Sequence, residues 1–396
     1  MHKPPTTTVA ASLLALFTLP AACAPTSNAE AQKLADPKYG PIPGQSRLFS
    51  DYRGKAPPFP GNITAPILPT EKGEPGPDDQ VWQNLLAAEW AIFNFYQQGV
   101  EAFNALSFVV TGFRNNTYDR IAEIRDNEAG HLRIFQNEIS NRSVKPGACK
   151  YKYSFTDATS LLALTTFLEV ASMAFLTGLV QQPKSEAARG AMVAIATVEA
   201  RHETWSLANV WGANPFSGPG DTVFPYANEI LDLTNTFIVP GSCPKENPPY
   251  PYPNQRLPAL SAAAGTKSVA PGSEVSFNFT DPANQPKFKD KKSYYAVFFH
   301  GVSIISVPVD VSKWRAGSLV NVIIPPEFEV KGVIIAVFAD APGAPKLENV
   351  IAGPEILLQQ PSESFVQRQT LISGGFPPLC YHNATCPVPF LKVVTP

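Results

Sequence analysis

Two Glu-x-x-His pairs stand in this sequence, Glu128 with His131 and Glu199 with His202. On a helix, a three-residue step puts both side chains on one face, within reach of one metal ion. The chain holds 5 histidines, so a shuffled sequence of this composition would contain roughly a quarter of one such pair. Two pairs, each preceded by a glutamate in the helical stretch before it, form a far more specific pattern. Those glutamates are Glu89, in LLAAEWAIFNFY, and Glu169, in TTFLEVASMAF. Both lie among apolar residues, where an unpaired carboxylate would suffer a large desolvation penalty that a bound cation relieves. Mixed carboxylate and imidazole ligation suits two ions of iron or manganese, with zinc as the alternative, and open positions would admit oxygen or peroxide. Each histidine would give one ring nitrogen to metal and donate the other to a group that the sequence does not identify.

Four helices are needed to hold this set, and the pattern supplies them. The first begins after Asp78 or Asp79 and carries Leu85, Ile92, Phe93, Tyr96, Val100 and Phe103 at helical spacing. Residues 105–113 lose that period and read as a loop or a short extended piece. Asn116 or Thr117 caps the second helix, which carries Ile121, Ile124, Leu132 and Phe135. Asp157 opens the third, which runs towards Pro183, and Ser185 caps the fourth, which closes at Gly212 and Pro215. Depth along the axis agrees: Glu89 lies 14 residues before Phe103, Glu128 lies 12 after Asn116, Glu169 lies 14 before Pro183 and Glu199 lies 14 after Ser185. Glu101 rivals Glu89, but sits about 120° from the stripe of Leu85, Ile92 and Tyr96 and reads as a solvated side chain. Tyr96 lies on that stripe; a core tyrosine with a satisfied hydroxyl is the more economical reading than a redox relay. Trp90 and Trp205 read as packing residues.

The flanks speak to compartment. Lys3, the apolar run Val9 to Phe17 and the small residues Ala21, Ala22 and Ala24 read as a signal peptide over residues 1–24, and no later apolar run is expected to cross a membrane. Export makes disulfides reasonable for the four cysteines beyond that segment. Three connectivities exist; placement in loops favours Cys149 with Cys243 and Cys380 with Cys386. Sequons at Asn62, Asn115, Asn141, Asn278 and Asn383 fit a secreted or cell-surface glycoprotein. A net charge of -2 excludes the basic footprint of a nucleic-acid binder. No Gly-rich phosphate loop and no convincing serine or cysteine nucleophile set is present.

The 41 prolines are about twice the usual ~5% share and punctuate the chain. Residues 25–77 read as a proline-rich arm, 78–240 as the four-helix bundle, 241–258 as a linker, 259–360 as a β-domain and 361–396 as a tail. In the β-domain Val275, Phe277 and Phe279 alternate with Ser276 and Asn278, and strand-like runs follow at 293–299, 303–309, 319–324 and 333–338. About a hundred residues of short strands suggest an immunoglobulin-like β-sandwich, making the chain an α+β multidomain protein.

The stretches DNEAGHLRIF and VEARHETWS resemble the fungal branch of the ferritin-like superfamily, which includes stress-response proteins and has plant desiccation-related proteins as more distant relatives. The resemblance covers residues 78–240, and the strand-rich segment ending IAGPEILL is similar to the domain that follows the bundle in the fungal proteins. It implies a ferritin-like four-helix bundle in which Glu89, Glu128, His131, Glu169, Glu199 and His202 take the di-metal ligand positions, with Glu128 and Glu199 bridging. That superfamily includes ferroxidases, oxygenases, radical generators and manganese catalases, so the expected role is redox or metal handling on oxygen, peroxide or the metal itself. A different class of function, a cell-surface structural protein that binds cell-wall polymer and keeps the bundle as a scaffold, fits the glycan sites and the β-domain.

Overall fold

A computed structural model describes residues 64–359 apart from 214, 217–221, 227–228, 231–233, 252–255, 264–265, 267 and 331. The expected signal peptide, the tail, Asn62, Asn383, Cys380 and Cys386 lie outside the described residues.

Among the described residues the helical half is built from five α-helices: α1 (Asp79–Ala102), α2 (Ala105–Val109), α3 (Thr117–Glu138), α4 (Ala158–Leu179) and α5 (Glu186–Trp205). The four long ones form the bundle, α1 against α3 and α4 against α5. Asp157 caps α4 through a reciprocal pair with Ser160, and the Ser185 hydroxyl accepts from Ala188 N at the start of α5. At α1 the sequence reading is half corrected. Asp78 takes the N-cap position but does not cap the helix; its carboxylate accepts from the Lys184 and Ser185 amides, at 2.7 and 3.0 Å, and so joins the start of α1 to the start of α5. Residues 105–113, expected as loop or extended chain, contain α2 instead. Asn104 and Ser107 form a capping box there, a signal that short helices carry in their caps and not in any period.

Helix α4 is predominantly apolar, and by length and composition it could cross a membrane. This corrects the expectation that no such run follows the leader. In the structure 94% of that stretch is buried, because α4 is the inner helix of the bundle. After α5 the chain tightens into a π-helical turn, Ser206–Val210, where Ser206 and the indole of Trp211 both bond the Thr166 hydroxyl, at 2.5 and 2.6 Å.

The C-terminal half is two antiparallel sheets. One has the order β1 (Leu260–Ala262), β2 (Glu274–Phe279), β5 (Val320–Ile323); the other has β4 (Ser303–Val309), β3 (Tyr294–His300), β6 (Val333–Ala339), β7 (Val350–Leu358). They face each other across an aromatic core in which Phe277 meets Phe338 at 5.6 Å. Strand β7 has no clean alternation because Gly353 and Pro354 interrupt it at a bulge. Gly353 has φ 104° and a Cβ there would lie 3.1 Å from the Ala336 carbonyl oxygen, so only glycine fits.

The two halves do not hang apart on a free linker. Val297, Phe299, Val333, Ile335 and Val337, on the outer face of the four-stranded sheet, belong to the same buried cluster as the bundle. Phe224 meets Phe299 at 5.2 Å, and Thr222 Oγ1 donates to the Val333 carbonyl. Within the expected linker Asn247 pairs with both backbone groups of Gly147, and Cys243 is bonded to Cys149. Residues 64–77 of the expected arm lie along the segment after α3, with Ile67 bridging Lys145.

Candidate metal centre

Helices α1, α3, α4 and α5 each turn one stripe inward, and these stripes bring all six expected ligands together. Glu89 comes from α1, Glu128 and His131 from α3, Glu169 from α4, Glu199 and His202 from α5, and every one is buried. Their donor atoms fall into two groups, Glu89–Glu128–His131–Glu199 and Glu128–Glu169–Glu199–His202, each with its atoms within 4.8 Å of one another. Glu128 and Glu199 belong to both.

The distances show how closely the groups are drawn in. His131 Nδ1 lies 3.0 Å from Glu128, 3.1 Å from Glu89 and 3.4 Å from Glu199. His202 Nδ1 lies 3.1 Å from Glu199, 3.2 Å from Glu128 and 3.5 Å from Glu169. Both rings therefore turn Nδ1 to the carboxylates. The His202 Nε2 atom meets Asn127 Oδ1 at 3.1 Å, which supplies the outward partner that the sequence left unidentified. The Tyr96 hydroxyl, buried at 0% exposure, donates to Glu169 Oε1. Tyr96 is thus a core tyrosine with a satisfied hydroxyl, and the group that satisfies it belongs to the centre.

Burial opposes the ionisation of Glu89, Glu128 and Glu169, and neighbours decide the net result. For Glu128 the hydrogen bonds and charge of His131 and His202 outweigh burial, so its carboxyl stays well below the usual range. Glu89 is raised well above it by burial and by repulsion from Glu128. Burial pushes Glu169 up to about 8, with His202 opposing. Both imidazoles are pushed up in spite of burial, His131 by hydrogen bonds to Glu128, Glu199 and Glu89, and His202 by the charge of Glu169 and its contacts with Glu128, Glu169 and Glu199.

A pair of metal ions fits this set. Glu128 Oε1 and Glu169 Oε2 are buried and meet only the His202 ring nitrogen, at 3.2 and 3.5 Å and outside hydrogen-bonding geometry, an expensive condition for carboxylate oxygens that coordination would relieve. The donors are four carboxylates and two imidazole nitrogens, with two carboxylates shared, which suits a carboxylate-bridged pair of iron or manganese ions.

Glu101 lies outside both groups. It is half-buried, not solvated as expected; burial lifts its carboxyl to about 7 against the pull of Arg125. Sequence reasoning missed Glu203. It is 4% exposed and its Oε1 has no hydrogen-bond partner; burial and the charge of Glu169 raise it to about 8. Its i+4 spacing from Glu199 would have revealed it. Of the sequons, Asn115 and Asn141 are exposed and Asn278 is half-buried on the outward face of β2.

Four inward-facing helices carrying two such half-sites are the arrangement of a ferritin-like domain. Residues 77–210, from the start of α1 to the end of the π turn, match the family model described as the ferritin-like domain, and this segment belongs to the ferritin-like superfamily. The chain is similar to protein rds1 of Schizosaccharomyces pombe, 26% identical over 183 residues. That match covers 46% of this chain and spans less than half, 44%, of rds1. The resemblance to the superfamily's fungal stress-response branch, carried by DNEAGHLRIF and VEARHETWS, holds.

Proposed function

We propose that this chain is a secreted protein whose bundle holds two iron or manganese ions, with a redox or metal-handling role in the stress response. The observation that carries this reading is the sharing of buried Glu128 and Glu199 between two ligand groups. When bound, such ions supply Lewis acidity and one-electron chemistry towards oxygen or peroxide. The chain's own residues do the rest. Glu128 and Glu199 set the spacing between the two positions, and His131 and His202 present Nδ1 to one position each. The apolar side chains of α1 and α4 keep bulk water from the centre. The leader, the cysteines and the exposed sequons support export and glycosylation. For the C-terminal half we read an immunoglobulin-like sandwich: the orders β1-β2-β5 and β4-β3-β6-β7 fit the division of strands between sheets in that fold.

The test is metal content of protein purified from its native secretory host. Replacing His131 and His202 together with Ala is expected to remove most of the iron or manganese while leaving the helical circular dichroism intact, because apolar packing and not ligation holds the bundle. Glu101→Gln is expected to leave metal content unchanged. Equal metal in the wild type and the double variant would end the di-metal reading.

A further inference from the structure

We propose that the two halves of the centre are unequal, and that the half built on Glu169 and His202 takes its metal ion first and holds it more firmly than the half built on Glu89 and His131. This rests on the di-metal reading and deepens it. The inner ligands give no reason for a difference: each half has one glutamate and one histidine of its own, and both share Glu128 and Glu199. The difference lies in what surrounds them, and Tyr96 and Asn127 both fall on one side.

The Tyr96 hydroxyl holds Glu169 Oε1, leaving Oε2 buried without a hydrogen-bond partner and 3.5 Å from His202 Nδ1. A carboxylate fixed in this way surrenders little further side-chain freedom when a cation arrives. Asn127 Oδ1 faces His202 Nε2 at 3.1 Å. An amide oxygen only accepts, so it selects the ring form with hydrogen on Nε2 and the lone pair on Nδ1, the atom turned to the carboxylates.

The opposite half has neither of these. Glu89 meets only His131 and Glu128, themselves members of the centre, and among the described residues His131 Nε2 has no hydrogen-bond partner. Its ligands must be ordered by the metal itself. Tyr96 and Asn127 are therefore positioning residues, and the Glu89–His131 half is the exchangeable one.

The experiment titrates metal-free full-length protein with manganese(II), following electron paramagnetic resonance. The first equivalent should give the signal of an isolated ion, and the second should replace it with that of a coupled pair. Tyr96→Phe and Asn127→Leu should each weaken the first step, up to the roughly 10- to 100-fold loss typical of groups that orient metal ligands, with the second step little changed. Asn127 is exposed, so its replacement tests the orientation of His202 without disturbing the core. His131→Ala should keep the first equivalent and His202→Ala should lose it. Uptake of both ions in one step by the wild type, or retention of the first ion by His202→Ala and its loss from His131→Ala, would overturn the inequality and leave the di-metal centre standing. A wild type that binds no manganese at all would remove the di-metal reading and this inference with it.

Discussion

Glu128 sits at the balance point of the centre's charge. Both imidazoles reach it, so its carboxyl stays ionised, while Glu89 and Glu169 keep their protons towards neutral pH because burial and neighbouring carboxylates oppose their ionisation. The rings of His131 and His202 keep theirs through the same contacts. A cation must therefore displace protons from both histidines, from Glu89 and from Glu169. The sign follows: each ligand binds metal less well below its own pKa, so apparent affinity falls as pH drops and climbs as pH rises through about 8, the value for Glu169. Manganese added at pH 7 in weak buffer should acidify the solution, as read by an indicator dye. Uptake without proton release would show that the carboxyls are already ionised and would contradict this charge assignment.

At the scale of elements, two ties hold the bundle's ends. The Asp79 carboxylate, 3% exposed, accepts from Gly76 N, Ser140 N, Ser140 Oγ and Ser143 Oγ at 2.5 to 2.9 Å, joining the start of α1 to the chain after α3. Burial opposes its charge, but those bonds outweigh it and hold the carboxyl below its ordinary value. The stabilisation is therefore present above the unfolded value near 4 and is lost as pH falls through the lower folded value. Asp79→Ala is expected to cost roughly 2 to 4 kcal/mol at neutral pH, measured by urea denaturation, with the penalty shrinking below that range. A penalty that stayed constant down to pH 2 would assign the effect to packing. The second tie is the Cys149–Cys243 disulfide, whose cysteines are 94 residues apart. Chain entropy gives about 4.7 kcal/mol for a loop of that size. Replacing both cysteines with Ala should lower the denaturation midpoint accordingly, and an unchanged midpoint would show that the surrounding contacts already constrain the loop.

Over the whole molecule, strand β6 decides how the halves relate. All seven of its residues are buried, because one face meets the other sheet and the opposite face meets the bundle. A shared core of this kind predicts one cooperative opening. In native-state hydrogen exchange, the slowest amides of α4 and β6 should exchange with the same free energy. Phe299→Ala, at the contact with Phe224, should lower both by roughly 3 to 5 kcal/mol. Loss of protection in β6 alone would make the β-sheets an independent unit.

Local chemistry was enough to read much of this protein from its sequence. The three-residue step of Glu128–His131 and Glu199–His202, the apolar period of four long helices and the caps at Asp157 and Ser185 are short-range signals, and they placed six candidate ligands on inward stripes. Alternation in β2 likewise showed Asn278 facing outward. Tertiary structure alone decided what depends on residues distant in the chain. Strand β7 depends on a bulge at Gly353 where it pairs with β6. Asp78 and Asp79 serve other segments, not their own helix, and residues 241–258 are held by Gly147 and Cys149. Tyr96 meets Glu169 across 73 positions and Asn127 meets His202 across 75. Periodicity reports which face of an element is buried, whereas a hydrogen bond between distant elements exists only once packing has brought them together.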